Sequence, residues 1–257
     1  MESSPPLGYR DRHREKRRRE FLDVARRIIN TEGHDALTMQ RVTEAVGSST
    51  GGIYIYFASK DVLMAELQRE AFDVMVASYL LGQSQLDAVL EERGADLPAA
   101  ALARAVATCR FWIDSEETLP GEIELSRRLI AGATAPMAQP GEGVLPAALR
   151  LLDEGRQRLD AAVEAGVLDP GNSLERAVML VASMTGVLLT SKLGGWDTSL
   201  FDGRHLATGL VSDILVGWGA TREQLAVADA HLAAFAKQHH VAPPVDPARV
   251  ADSSSYT

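Results

Sequence analysis

The chain has 257 residues, of which 46% are hydrophobic and 24% charged, and its formal net charge is −9. This length accommodates one large or two modest domains with a real core, and no apolar run reaches the length of a membrane span, about 18 residues. The charged N-terminus lacks a signal-peptide pattern, and the single cysteine, Cys109, allows no internal disulfide. Both features favour a cytoplasmic protein with no membrane partner.

The charge is unevenly distributed along the chain. Residues 1–60 hold eleven lysines and arginines against eight acidic residues, whereas residues 61–257 hold fifteen against twenty-seven. The basic residues concentrate near the N-terminus, at Arg10, Arg12, Arg14, Lys16, Arg17, Arg18 and Arg19. We interpret residues 1–15 as a disordered basic arm that contacts nucleic-acid phosphates. A solvated tail is the alternative.

A small helical domain is predicted over residues 16–62. Apolar residues recur at helical spacing from Phe21 to Ile29, which predicts a first helix from about Lys16 that ends at Gly33. This helix would pack on the segment that follows it. The predicted core of the domain consists of Phe21, Ile28, Leu37, Val42, Val46, Ile53 and Phe57.

The segment from Thr38 to Lys60 reads as two short helices joined by a tight turn. Thr38 is placed to cap the first helix, and Gly47 is placed to end it because glycine adopts left-handed dihedrals without steric cost. Ser48, Ser49 and Thr50 can cap the second helix, which we expect to bury Ile53 and Phe57 and to turn both tyrosines outward. This layout predicts a helix-turn-helix, whose second helix enters the DNA major groove.

The same segment resembles the DNA-binding domain of the TetR (tetracycline-repressor) family of bacterial transcriptional regulators. The residues that match the family pattern are Thr38, Gly47, Ser49, Gly51, Ile53, Tyr54, Tyr56, Phe57 and Lys60. Two positions depart from it: Ser48 stands where the family has an apolar residue, and Gly52 where Thr or Ala is common. The resemblance implies a homodimeric repressor, in which a ligand bound by the larger domain moves the helix that follows the DNA reader.

Two groups of residues in this segment are candidates for DNA contact. The residues that would approach the base edges are Ser49, Thr50, Gly51, Gly52 and Ile55. Hydroxyl groups bond to several bases, and an apolar side chain can touch a thymine methyl group. The expected phosphate ligands are Thr38, Tyr54, Tyr56 and Lys60. The alternative is a core position for Tyr54 and a plain surface position for Tyr56.

The rest of the chain is predicted to be an all-helical ligand-binding and dimerisation domain, residues 63–241. A long helix capped by Ser59 would run to about Leu81, and further helices are predicted over 84–93, 98–116, 121–131 and 144–165. The proline-rich stretch 132–146 is a predicted loop, and residues 242–257 are a predicted disordered tail. The chain is thus expected to be all-α.

Two apolar helices are predicted near the C-terminus, over 174–193 and 203–218, before a last helix over 221–238. A four-helix interface in a two-fold dimer takes two such helices from each subunit. The residues assigned to this interface are Leu206, Leu210, Ile214 and Trp218. A monomer core built from the same helices is the alternative.

Ligand binding in the larger domain rests on its adaptable apolar side chains and one basic residue. The candidates are Met75, Cys109, Trp112, Arg127 and Met184. Each of the apolar residues could instead be ordinary core. The sequence contains no nucleotide-binding loop and no catalytic or zinc-binding motif, so we predict neither an enzyme nor a metal or cofactor site.

The favoured function is therefore a regulator that binds a palindromic operator in double-stranded DNA and responds to an unidentified small-molecule effector. A different function remains open: a small-molecule-binding or adaptor protein that uses the helix-turn-helix as a protein-contact module.

Overall fold

The computed structural model describes residues 9–132 and 144–239, apart from the side chains of Tyr9, Thr50 and 129–132. These residues form helices without any strand, as predicted. The α-helices in chain order are α1 (Tyr9–Glu32), α2 (Met39–Val46), α3 (Thr50–Ile53), α4 (Lys60–Glu92), α5 (Leu97–Thr118), α6 (Pro120–Gly132), α7 (Val144–Glu164), α8 (Ser173–Thr190), α9 (Gly203–Gly217) and α10 (Arg222–Gln238). The predicted loop at 132–146 and the predicted tail at 242–257 fall mostly or wholly outside the described residues.

The helices belong to two compact units. The first contains the chain up to Ala71 together with 120–145, and the second contains Phe72–Leu119 and the chain from Pro146 onward. Helix α4 supplies residues to both units, because it starts at Lys60 and ends at Glu92.

The first unit has its own hydrophobic core, built by α1, α2, the residues around α3 and the first turns of α4. All the predicted core residues are buried except Val46, which is half-buried against them. Leu125 of α6 completes the cluster. Burial of this many apolar side chains gives the N-terminal segment a core of its own.

Helix α1 begins at Tyr9 rather than near Lys16. Its early turns lack an apolar face, so hydrophobic periodicity cannot reveal them. Their charged residues are good helix formers and pair along the helix, with Arg17 2.6 Å from Glu20 and Arg19 3.4 Å from Glu15. Residues 9–15 of the predicted arm are therefore helical, and residues 1–8 lie outside the described part.

Helix α4 continues through Gly82, where we predicted its end. Gly82 is not among the glycines with positive φ, and the residues beyond it keep the apolar face going, since Leu86 and Leu90 are both buried. A glycine within a helix lowers its stability by about 1 kcal/mol relative to alanine, and here the tertiary packing outweighs that cost.

The second unit has a separate core, formed chiefly by α4, α5, α8, α9 and α10. Four of its helices begin at a capping side chain that accepts a backbone N–H bond. The caps are Asp96, Asn172, Asp202 and Thr221. Each cap satisfies amide groups that a helix start leaves without an intrahelical partner.

Candidate nucleic-acid interface

The turn between α2 and α3 has the geometry that its sequence predicts. The Thr38 hydroxyl accepts a hydrogen bond from the Arg41 amide at 3.1 Å and caps α2. Gly47 ends the helix in the left-handed region with φ 68°, and the Ser48 amide then donates to the Thr43 carbonyl at 2.8 Å. This pattern closes the helix C-terminus and redirects the chain within two residues.

Helix α3 is shorter than predicted. It ends at Ile53, and the chain continues through a turn to Phe57. Two glycines at its front make a longer helix unfavourable. Ile53 and Phe57 are buried, as predicted, and anchor this segment in the core of the first unit. Ser49 stands at the N-cap position, although its side chain makes no capping bond.

The outward face of this segment carries small and apolar groups. Tyr54 is 51% exposed and Ile55 is 69% exposed. Ser49 and Gly51 are also exposed, whereas Gly52 is half-buried. The side chain of Thr50 lies outside the described residues. An exposed, bulk-free helix front of this kind can approach a groove of DNA closely.

Tyr56 differs from the prediction that both tyrosines face outward. Its ring is half-buried and lies 5.4 Å from the ring of Phe21, measured between centroids. The turn after Ile53 brings Tyr56 back onto α1, where it packs against the hydrophobic core. The two tyrosines thus have different environments: Tyr54 is exposed and Tyr56 is half-buried.

Thr38 and Lys60 both lie at helix starts. Thr38 precedes α2, and Lys60 is the first residue of α4 and half-buried. Helix N-termini present unpaired amide groups and a partial positive charge, both of which favour a phosphate. The structure therefore places two predicted phosphate ligands where the backbone can assist them.

Two groups can be distinguished among the basic residues of α1. Arg17 and Arg18 pack over the rings of Phe21 and Phe57, with their guanidinium carbons 5.4 Å and 5.5 Å from the ring centroids. Each of these arginines also pairs with a glutamate.

The other group is available to a partner. The side chains of Arg10, Arg14 and Lys16 are exposed and form no hydrogen bond or ion pair with any described residue. The sequence showed seven basic residues as one group. In the structure, these three of the seven have no acidic partner among the described residues.

Ion pairs join α1 to the first turns of α4 within the first unit. Arg18 is 2.9 Å from Glu66, and Arg26 is 2.5 Å from Glu70. Burial raises the pKa of Glu66, but hydrogen bonds and charge from Arg69 and Arg18 outweigh burial, so the net pKa is lowered. At Glu70 burial outweighs the charge of Arg26, and the pKa is raised. Sequence spacing gave no sign of this network, because its partners lie on two separate helices.

Three of the predicted ligand-binding residues come together in the second unit. Cys109, Trp112 and Met184 line a cavity between α5, α7 and α8 with a volume of about 20 Å³, which is room for about one water molecule. Burial raises the pKa of the Cys109 thiol to about 12, so the thiol stays protonated and unreactive at neutral pH. Met75 is fully buried and does not line this cavity. Arg127 lies on α6, in the first unit.

The predicted interface residues of α9 are unequally exposed. Leu206 is exposed, whereas Leu210, Ile214 and Trp218 are half-buried, and the last two pack against the core of the second unit. The guanidinium of Arg176 covers the Trp218 ring at 5.0 Å. The monomer core thus already uses part of the stripe that the sequence assigned to a partner.

Helix α8 and the turn after it carry a larger exposed apolar face. Its members are Leu174, Val178, Met179, Leu189 and Leu193. By length and composition alone, 173–193 is the one helical stretch of the described residues that is apolar enough to cross a membrane, and 28% of it is buried. A helix that packs one face in its own core and the other against a protein partner has the same composition, so this feature is weak evidence for a membrane span.

Comparison with known proteins identifies the N-terminal segment. Residues 21–67 match the family described as bacterial regulatory proteins, tetR family. The HTH-type transcriptional repressor Rv1474c of Mycobacterium tuberculosis is 42% identical over 65 residues, which are 25% of this chain and 35% of that protein. The chain therefore spans about a third of the length of this curated relative. Residues 21–67 thus resemble the tetR family of bacterial regulatory proteins, and the relative that matches this segment is named a transcriptional repressor.

Solved structures extend the likeness to more than three quarters of the chain. A protein of unknown function from Rhodococcus sp. RHA1 superposes with a TM-score of 0.54 at 20% identity, covering 79% of this chain and 95% of that one. A Saccharomonospora viridis protein assigned as a transcriptional regulator, solved in complex with choline, gives a TM-score of 0.52 at 17% identity, covering 77% and 96%. At these identities the likeness establishes an N-terminal helix-turn-helix domain followed by a larger helical domain, and nothing about ligands.

Proposed function

We propose that this protein is a homodimeric transcriptional repressor that binds a palindromic operator and whose operator affinity changes when a small molecule binds its second unit. The observation that carries the proposal is the exposed front of α3, held by the buried anchors Ile53 and Phe57. A helix held in this way presents its outer residues in a fixed orientation, which base recognition requires.

The residues of the proposed interface divide by role. Ser49, Thr50, Gly51, Gly52 and Ile55 would approach the base edges. Thr38, Tyr54, Tyr56 and Lys60 would contact phosphates and fix the register of the reader on the duplex. A half-buried ring at Tyr56 suits this role only if its hydroxyl reaches the surface, so Tyr54 is the stronger phosphate ligand of the two.

The start of α1 would add contacts that do not depend on sequence. Arg10, Arg14 and Lys16 are exposed and unmatched among the described residues. Residues 1–60 carry a net positive charge while the remaining chain is acidic. Cations placed in this way attract the DNA backbone and release its counterions, which makes binding salt-dependent.

Specific DNA recognition requires a dimer, because one short helix contacts too few base pairs for specificity. The exposed apolar face of α8, extended by Leu206 of α9, is the surface we assign to the partner subunit. A ligand bound in the second unit would alter operator affinity through linkage, so that operator DNA would alter ligand affinity by the same factor. The choline complex of a protein with this fold supports small-molecule binding by this chain.

Direct measurement of DNA binding tests the proposal. We expect the full chain to bind a labelled duplex from its own upstream region more tightly than a shuffled duplex, with affinity falling steeply between 50 and 200 mM salt, the range in which phosphate contacts are lost. Lys60→Ala should weaken binding to all duplexes and reduce the salt slope by roughly one.

Lys237→Ala provides the matched control. It removes the same charge from an exposed position in the second unit and should leave DNA binding unchanged. Equal affinity for both duplexes at every salt concentration would contradict the repressor and favour the adaptor function instead.

A further inference from the structure

A second, larger cavity lies within the second unit, away from the residues that the sequence proposed for ligand binding. It is formed by α4, α5 and α10 and has a volume of about 190 Å³. Most of its wall is apolar, contributed by Tyr79, Leu86, Phe111, Leu119, Leu232 and Phe235. An engineered apolar cavity of about 150 Å³ holds benzene, so this space accommodates a molecule with one ring.

The wall also contains polar groups with unused hydrogen-bonding capacity. Gln83 is 4% exposed, and its amide nitrogen donates to the Arg104 carbonyl and the Thr108 hydroxyl, each at 3.4 Å. Its amide oxygen, Oε1, is buried and has no hydrogen-bond partner among the described residues, and the same is true of Ser78 Oγ. An unpartnered acceptor in a protein interior is unfavourable unless a ligand or water supplies a donor.

The ionised side chains around the cavity are already matched. Arg110 is 2.7 Å from Asp229, and Asp114 is 2.5 Å from Arg204. A charged ligand would have to break one of these pairs or enter a mainly apolar space without a counter-charge, and both are costly. The cavity therefore favours a neutral molecule.

We propose that this cavity binds a small, neutral, mostly apolar molecule of about one ring. Its hydroxyl or amine group donates a hydrogen bond to Gln83 Oε1, which neighbouring protein atoms cover in this structure and which a rotation of the Gln83 side chain turns toward the cavity. Ser78 and Tyr79, whose hydroxyl bonds to Thr108 at 3.0 Å, offer further polar contacts beside it. The cavity between α5, α7 and α8 is too small for such a ligand. Binding at this cavity does not depend on the proposed function. Only the role of the bound molecule as the effector rests on that function.

Phenol and toluene provide a matched pair of probes, because they share size and shape and differ in the hydroxyl donor. Gln83→Met keeps the length of the side chain and removes the acceptor. By titration calorimetry, the ratio of phenol affinity to toluene affinity should be about tenfold higher in the unmodified full chain than in Gln83→Met, the factor expected for one hydrogen bond. An equal ratio in the two proteins would overturn the hydrogen bond to Gln83.

A pair of substitutions on α10 tests the location without touching the core. Ala236 lines the cavity and is exposed at its rim, whereas Ala233 is exposed on the same helix and does not line it. Ala236→Trp should fill the cavity and reduce phenol binding at least about tenfold, and Ala233→Trp should leave it unchanged. Unaltered phenol binding by a folded Ala236→Trp protein would overturn the site.

Measurements of DNA binding separate this inference from the proposed function. If phenol binds at the cavity and the protein does not recognise its upstream region, the site stands and the repressor fails. If the protein recognises that region and phenol does not bind, the repressor stands and the site fails. As the effector site, the cavity should also make operator affinity depend on phenol in the unmodified protein and not in Ala236→Trp; an operator affinity insensitive to bound phenol would overturn the effector role.

Discussion

Ser48 Oγ lies 2.6 Å from the position that a Cβ atom on Gly52 would occupy. These are the two positions at which the helix-turn-helix departs from the TetR pattern, so the departures meet in space. The serine hydroxyl fills the volume that a larger residue at position 52 would take. Gly52 and Ser48 therefore form one local arrangement, and we expect substitutions at the two positions to be coupled.

The first prediction concerns this pair. In a Ser48→Ala background, Gly52→Ala should stabilise the protein by up to about 1 kcal/mol, the difference in helix propensity between the two residues. In the natural background the gain should be smaller, because the Ser48 hydroxyl has to move. Urea unfolding of the single and double variants measures the coupling. Additive effects, within about 0.5 kcal/mol, would show that Ser48 does not restrict position 52.

The second prediction separates the two tyrosines. Tyr54→Ala should lower operator affinity while changing the free energy of unfolding by less than about 0.5 kcal/mol, because Tyr54 is exposed and is not part of the hydrophobic core. Tyr56→Ala should lower stability by about 1–3 kcal/mol, because it removes the ring that packs on Phe21. Tyr56→Phe keeps that packing, so any loss of operator affinity in this variant reports the hydroxyl alone. An equal loss of stability in Tyr54→Ala and Tyr56→Ala would contradict the assignment.

The sequence predicts well those features that depend on neighbouring residues in the chain. The cap at Thr38 and the stop at Gly47 depend on residues within one turn, and both match the structure. The position of Tyr56 depends instead on Phe21, which is far away in the chain, and the end of α4 depends on tertiary burial beyond Gly82. Periodicity describes one helix at a time and cannot supply such contacts.

The ligand site shows the same limit. Cys109, Trp112 and Met184 share a cavity, as a search for adaptable apolar side chains suggested, but that cavity is small. The larger space is lined by α4, α5 and α10, and its distinguishing residue is Gln83, whose amide oxygen has no hydrogen-bond partner among the described residues. No sequence pattern records which polar atom a distant helix leaves unpaired, so this site emerges only from the three-dimensional structure.

The third prediction concerns the pH dependence of the ion pairs between α1 and α4. The pKa of Glu66 is lowered in the folded state, so its ionised form adds stability above the unfolded pKa, near 4.5, that is lost as the pH falls through the folded value. The pKa of Glu70 is raised, so its ionisation costs stability above the folded value and has no effect once the pH is below about 4.5. The two glutamates therefore have opposite effects at neutral pH.

Thermal unfolding of two neutral variants checks these signs. At pH 7 Glu66→Gln should have a lower Tm than the unmodified protein, and the difference should shrink as the pH falls below 4.5. Glu70→Gln should have an equal or higher Tm at pH 7, and its difference should also disappear in acid. A similar loss of Tm in both variants at pH 7 would mean that the pair with Arg26, rather than burial, controls Glu70.

The last prediction concerns the partner surface on α8. Val178 is 48% exposed within the apolar face of that helix, and Val227 is also 48% exposed, on α10. Both positions tolerate a charge in a monomer, because each side chain already reaches solvent. In the proposed dimer only Val178 is covered, and a carboxylate there would be buried without a counter-charge. Ile214 is a less clean position for this test, because it also packs against the core of its own unit.

Val178→Asp should therefore be monomeric by light scattering, keep its helical circular dichroism, and lose specific operator binding while retaining weak binding to any DNA. Val227→Asp should remain dimeric and bind the operator normally, because its charge stays in water. The two variants carry the same substitution at equally exposed positions. A difference between them therefore reports the position of the residue and not the added charge itself. A Val178→Asp protein that stayed dimeric would remove α8 from the interface, and a monomeric Val227→Asp would place the interface on α10.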